Sequence, residues 1–396
     1  MKYNFDEVID RRGTTSLKWN AKDLLKSMGI TDTFNEDTIS AFTADMDFKC
    51  AQPIIDALHK VVDSGIYGYS GHICDPEYHK SIIKWFKEKR NWDIKEEEII
   101  YVNGTIHALK IGILAYSQEG DGVIIQRPVY TPFTGVINET NRKVVNNQLI
   151  NNNGYYTIDF EDLEEKAKDP ANKVMLLCNP HNPVGRIWSD EDLIRIAQIC
   201  RENDVVILAD EIHGDLLRKG EEFHPIATLV DNSNIVTCTA VNKTFNLAGL
   251  HCTNVVIKDE KLREKFYNVS GTIWPTPFTI AAVIAAYNEG DEWLDQLRDY
   301  LDGNIDWILN FLKEKMPKVK CYRPEASYIL WMDFREYGLS AEEIHDKIYN
   351  KANVILEGGK MFDPDHGEGF ERICVPVRRA VIEEIFNRIY REFEGL

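Results

Sequence analysis

Apolar and polar positions along the chain change rhythm part-way. From about residue 98, short β-rich runs alternate with stretches of helical period: "EIIYV", "TIHALKIGILAYS", "GVIIQ", "KVVNNQLI", "FEDLEEKAKD", "KVMLLC", "DEDLIRIAQICREN", "VVILA", "IVTCT" and "NVVIK". Such alternation predicts an α/β fold with a mostly parallel, doubly wound sheet and helices on both faces. From about residue 276 the period is helical for much longer, in "TIAAVIAAYNEGDEWLDQLRDYLDGNIDWILNFLKEK". Strand-like "YILWMDF", a helix at 340–350, "FERICVPV" and a final helix follow, which read as a second, smaller α/β unit. The first 45 residues carry no complete unit and are expected to pack with the tail. The expected division is a large domain over 46–285 and a small one built from 1–45 and 286–396.

Size and charge narrow the function classes. A chain of 396 residues with 44% hydrophobic content can bury the cores of two domains. Its 64 acidic against 46 basic residues leave a formal charge of -18, which repels phosphate backbones and anionic lipid, and no basic cluster offsets it. Neither a nucleic-acid nor a membrane partner is expected. The start, "MKYNFDEVIDRRGTTSLKW", has no apolar core of a secretion signal, so the expectation is a cytoplasmic enzyme. Eight cysteines without C-x-x-C spacing read as reduced, mostly buried thiols. Ten histidines form no H-E-x-x-H, and "DPDHGEGFE" fails as a calcium loop at Gly367 and Glu368, so no metal site is expected.

In an open α/β sheet the ligand lies beyond the carboxyl ends of the strands. Four predicted strand ends carry polar groups that a core does not need: "VNGT" at 102–105, "CNPHNPVGR" at 178–186, "LADEIH" at 208–213 and "TAVNKT" at 239–244. Each alone has an ordinary explanation. Lys243 could be a solvated lysine, Asp210 a cap or a partner of Arg186, Asn179 and Asn182 turn residues, and Gly104-Thr105 a plain helix start. Together they match the needs of one cofactor. Pyridoxal phosphate requires an amine to carry it, a carboxylate beside its ring nitrogen, a donor to its phenolic oxygen, and backbone N–H groups at a helix N-terminus for its phosphate. Lys243, Asp210, Asn182 and the turn at 104–106 supply these in that order.

The chain resembles the fold-type I pyridoxal phosphate enzymes of the aminotransferase class I/II superfamily, and within them the cystathionine β-lyase branch known as the MalY/PatB family. "NPHNPVGR" and "KTFNLAGL" carry the superfamily likeness, "NFDEVIDRRGT" and the "EWL" helix point to the branch, and "ADMDF", "YGYS", "RPVYTPF" and "ADEIHGDL" extend the resemblance along the chain. The resemblance implies an aminotransferase-like fold, bound pyridoxal 5′-phosphate and an amino-acid substrate. It implies that Lys243 holds the cofactor and shuttles the Cα proton, that Asp210 pairs with the ring nitrogen, and that Tyr130 stacks on the ring. Gly104, Thr105, Ile106, Asn182, His213 and Asn242 complete the cofactor contacts. Tyr69 would reach the phosphate of the neighbouring subunit, making a homodimer, while Arg372, Asn182 and Ala44 would serve the substrate, Arg372 as a bidentate clamp on its carboxylate.

This chain departs from the family pattern at Asn242, His251, Thr43 and Cys374, the last two on the substrate side. The implied reaction is β-elimination from cystathionine or a related cysteine S-conjugate. The alternatives are an aminotransferase and a regulatory protein-binding role. A nicotinamide dehydrogenase is disfavoured, because no G-x-G-x-x-G follows a strand.

Overall fold

The computed structural model describes residues 2–231 and 233–396. Its centre is a seven-stranded sheet in the order Ile99–Val102, Thr253–Val256, Ile235–Thr239, Val206–Asp210, Asn172–Cys178, Gly122–Ile125 and Lys143–Asn146. Thr253–Val256 runs antiparallel to both neighbours; the other pairings are parallel, so the sheet is mixed but mostly parallel. Side chains of a strand point alternately to opposite faces, and both faces here are apolar. Val174 and Leu176 join one core with Val123, Leu208 and Val236, while Met175 and Leu177 join the other with Ile124, Ile207 and Ala209. Helix Thr105–Tyr116 lies so close to the first face that a Cβ on Gly112 would stand 2.7 Å from Leu208 Cδ1. On the other face, helix Asp190–Glu202 starts at Ser189, whose hydroxyl accepts from the Asp192 amide at 3.1 Å.

A second, antiparallel sheet has the order Lys320–Cys321, Ile329–Asp333, Phe370–Cys374, Glu357–Gly358. The N-terminal segment joins this region, since Ile39–Ser40 pairs in parallel with Val354–Ile355. Helix Asp291–Lys315 packs there against the final helix, Arg379–Phe393. The expected boundary at residue 285 falls inside helix Pro277–Glu289, which packs on Gln52–Ser64 and Pro76–Arg90, two helices that the sequence reading left unassigned.

Two segments differ from expectation. "KVVNNQLI" is not one strand: the sheet strand stops at Asn146, and Ile150–Asn152 pairs instead with Tyr155–Thr157 around Asn153 and Gly154, both at positive φ. Buried Asn147 makes the break, donating through Nδ2 to Asp159 O and Asp162 Oδ2, both at 2.8 Å. The helix at 340–350 is α-helical only over Ala341–His345 and continues as a π-helix, Asp346–Lys351. All eight cysteines are free and five are buried. Among the described residues no helix is long and apolar enough to cross a membrane.

Candidate active site

Three parallel strands end level with one another, because Asp210 is in register with Cys178 on one side and Cys238 on the other. Asp210 is therefore delivered to the rim of the sheet by an apolar strand, 3% exposed, with Oδ1 accepting a long 3.4 Å bond from the Ile212 amide. Burial pushes its pKa up to about 7, with the Ile212 amide and Lys243 pulling the other way. Lys243 follows the next strand on a single helical turn, Val241–Thr244, and its Nζ donates to Ala44 O at 2.9 Å. Burial lowers the Lys243 pKa; Cys374 opposes this, Arg372 reinforces it, and Asp45 and Asp210 oppose it. Such a setting keeps an amine closer to its neutral, nucleophilic form.

Arg372 comes from the second sheet and is 2% exposed. Its Nη1 donates to Asn182 Oδ1 at 2.9 Å, joining the two sheets across the site, and its guanidinium lies 4.6 Å over the Phe362 ring. With Oδ1 turned to Arg372, the amide nitrogen of Asn182 is the end left to donate elsewhere. On the opposite edge of the guanidinium, Nε and Nη2 both donate to Glu357 Oε2, Nε at 2.9 Å. Tyr130 sits within electrostatic reach of both functional ends: burial raises its pKa to about 12, Arg372 lowers it, and Asp210 and Glu357 add to the rise. His213 Nδ1 meets Ser327 Oγ at 3.0 Å, and burial, aided by Lys243 and Arg372, brings its pKa down to about 3, so the ring is neutral.

The turn expected to hold phosphate has Gly104 at φ +129°, a region that side chains rarely enter, directly before helix Thr105–Tyr116. The first-turn amides of Thr105, Ile106 and His107 have no carbonyl four residues back within the helix. Thr105 Oγ1 is anchored to Thr253 Oγ1 at 2.9 Å, and His107 Nδ1 to Asn103 Oδ1. Buried Asn242 Oδ1 has no hydrogen-bond partner among the described residues, nor has Asn179 Nδ2. His251 is exposed at φ +50°. Lys243, Ala44, Asp210, Tyr130, Asn182, His213 and Arg372 are thus brought together. Tyr69 is not among them: it is fully exposed on the segment after Gln52–Ser64.

Several participants were not singled out from the sequence. Tyr328 donates to Ala44 O at 3.1 Å, so the carbonyl that meets Lys243 is fixed from a second side. Asp45 and Asp47, which follow that carbonyl in the chain, are held by Arg11 at 2.7 and 2.8 Å, and Asp47 also by buried Lys18 at 3.0 Å and by the Trp19 indole at 2.9 Å. Paired charges in "DRRGTTSLKW" and "ADMDF" were the available signal. Below the Lys243 turn, Asp215 accepts from Thr244 Oγ1 at 3.0 Å and pairs with Arg90 at 3.0 Å. Arg186 does not pair with Asp210; it bonds Glu325 at 2.9 Å and lies over Tyr155 at 3.7 Å.

The model of the aminotransferase class I and II family matches residues 43–389. The chain belongs to this family. Cystathionine beta-lyase PatB of Bacillus subtilis (strain 168) is 39% identical over 391 residues, covering 98% of each chain. Protein MalY of Escherichia coli (strain K12) is 28% identical over 387 residues, 96% of each. Among solved structures of the family, cystalysin from Treponema denticola, which contains a pyridoxal 5′-phosphate cofactor, superposes with a TM-score of 0.94 at 34% identity, covering 100% of this chain and 99% of that one. The likeness extends through the N-terminal segment that clamps Asp45 and Asp47, which begins before the family match itself.

Proposed function

We propose that the chain is a pyridoxal 5′-phosphate-dependent carbon–sulfur lyase that takes cystathionine or a related cysteine S-conjugate to pyruvate, ammonia and a thiol. The observation that carries this reading is the pairing, in one buried site, of an under-partnered carboxylate, Asp210, with an amine of lowered pKa, Lys243. The residues fit the cofactor. Asp210 makes no ion pair among the described residues and would gain one from a protonated ring nitrogen, the turn after Gly104 presents first-turn amides without a carbonyl inside their helix and suited to phosphate, and Asn182 has an amide end for the phenolic oxygen. Tyr130 is the ring available to stack, and Asn242, with its orphaned oxygen, lies beside the lysine.

When bound, the cofactor supplies an electron sink that makes the substrate Cα–H bond breakable. The rest falls to the chain. Arg372 holds the α-carboxylate, and Ala44 marks the place from which Lys243 acts. Lys243 removes the Cα proton; the electrons of that bond form the Cα–Cβ double bond as the Cβ–S pair leaves with sulfur. The protonated Lys243 is then available to return that proton to the departing thiolate. Water completes the release of pyruvate and ammonia. Neutral His213 adds no cation beside the lysine, which leaves the amine free to act as base.

This reading includes a cytoplasmic homodimer in which Tyr69 serves the neighbouring subunit's phosphate, and the two-domain division at about residue 285. Likeness to the PatB lyase along nearly the whole chain supports lyase over transferase. The test is L-cystathionine supplied without a keto-acid acceptor. Sustained pyruvate release over many turnovers is expected. A burst of about one turnover, restored by adding a keto acid, would make the protein an aminotransferase.

A further inference from the structure

Three of the five N–H groups of Arg372 are already given to the chain itself. One edge of its guanidinium, Nε and Nη2, is given to Glu357 Oε2, and Nη1 is given to Asn182. The same Glu357 oxygen accepts the Thr43 amide at 3.2 Å. Thr43 has φ +62°, unusual for a β-branched residue, so this bond holds a conformation that the chain does not favour on its own. Glu357 therefore ties together the second sheet, the segment leading to Ala44, and the arginine.

A guanidinium buried to this degree needs a counter-ion whenever no substrate is present. Glu357 meets that need. Arrival of an amino acid then places a second carboxylate on the same cation, at the remaining end-on hydrogens. Two anions share one charge, and the like-charge repulsion in a poorly solvated site opposes binding.

We propose that Glu357 is a specificity-determining residue that competes with the substrate α-carboxylate for Arg372 and thereby sets the enzyme's affinity for amino acids. This rests on Arg372 being the carboxylate clamp. Glu357→Gln keeps an acceptor oxygen for Arg372 and Thr43 but removes the charge. It should lower KM for L-cystathionine about fivefold to tenfold with kcat within about twofold. The inhibition constant of propionate should fall in parallel, while that of propylamine, which lacks a carboxylate, should not move. Glu357→Met, also uncharged, should shift both carboxylate constants in the same direction and serves where Gln impairs folding, as judged by thermal melting and cofactor absorbance. A KM that is unchanged or raised in a folded, cofactor-loaded neutral variant overturns the proposal. The companion variant Arg372→Lys separates the two layers: raised KM there without a fall in Glu357→Gln sinks the competition alone, whereas no effect of Arg372→Lys sinks the clamp with it.

Discussion

Asp210 should make the cofactor-free protein less stable as pH rises, and replacing it with Asn should remove that cost. Its folded pKa, raised by burial from the ordinary 3.8 to about 7, means that the native state keeps a proton that the unfolded chain has released. Below pH 3.8 both states hold the proton and Asp210 costs nothing. Between 3.8 and about 7 the unfolded state binds fewer protons, so unfolding free energy falls by about 1.4 kcal/mol per pH unit. Above pH 7 the accumulated cost is about 4 kcal/mol. Urea denaturation of cofactor-free wild type and Asp210→Asn, at matched chain concentration, isolates this residue from every other titrating group. The stability advantage of Asn should grow by a few kcal/mol between pH 4 and pH 8. Loading with pyridoxal phosphate should then favour wild type, because the carboxylate gains a cationic partner. A difference between the two cofactor-free proteins that stays within about 1 kcal/mol across that range would refute the burial argument.

Three further outcomes are expected. Arg372→Lys keeps the charge but loses the planar fork, so kcat/KM for cystathionine should fall at least tenfold while cofactor affinity, read from absorbance titration, holds. Co-expression of Tyr69→Phe with Lys243→Ala chains should give hybrid dimers with one intact site, and hybrids no more active than either parent would argue that each site is complete within one chain. Gly104→Ala forces a side chain into φ +129°, at a cost of about 1–3 kcal/mol or a shift of the turn, and should weaken pyridoxal phosphate binding measured by dialysis.

The large sheet was legible because its inner strands are short runs, apolar on both faces, punctuated by helical period. Asp210 and Lys243 stood out for the same reason: each is a charge placed at the exit of such a run. Asn182 and the turn at Gly104 were read on the same logic. The hairpin at 150–157 was missed although "NNNGYYT" holds an Asn-Gly pair, a strong turn signal, because the asparagines around it look like a loop. Glu357 was not legible at all. Its partners lie 15 residues ahead and 314 behind, and nothing local distinguishes it from a solvated glutamate. Ser327 and Tyr328 escaped for the same reason, since only the folded topology brings them to His213 and Ala44.

The clamp of Arg11 and Lys18 on Asp45 and Asp47 bears on how the protein is made. The carbonyl of Ala44, just ahead of those aspartates, touches Lys243 and Tyr328, and Lys243 shares its site with Arg372. The earliest residues off the ribosome thus wait for nearly the last. At roughly 5–20 residues per second, that interval is about 20–80 s for a chain of 396 residues. Contacts so distant in sequence also slow folding after release. If Arg372 is the carboxylate clamp, a nascent or C-terminally truncated chain lacking it has no hold on an amino acid, so the ability to consume one is expected only when synthesis is almost complete.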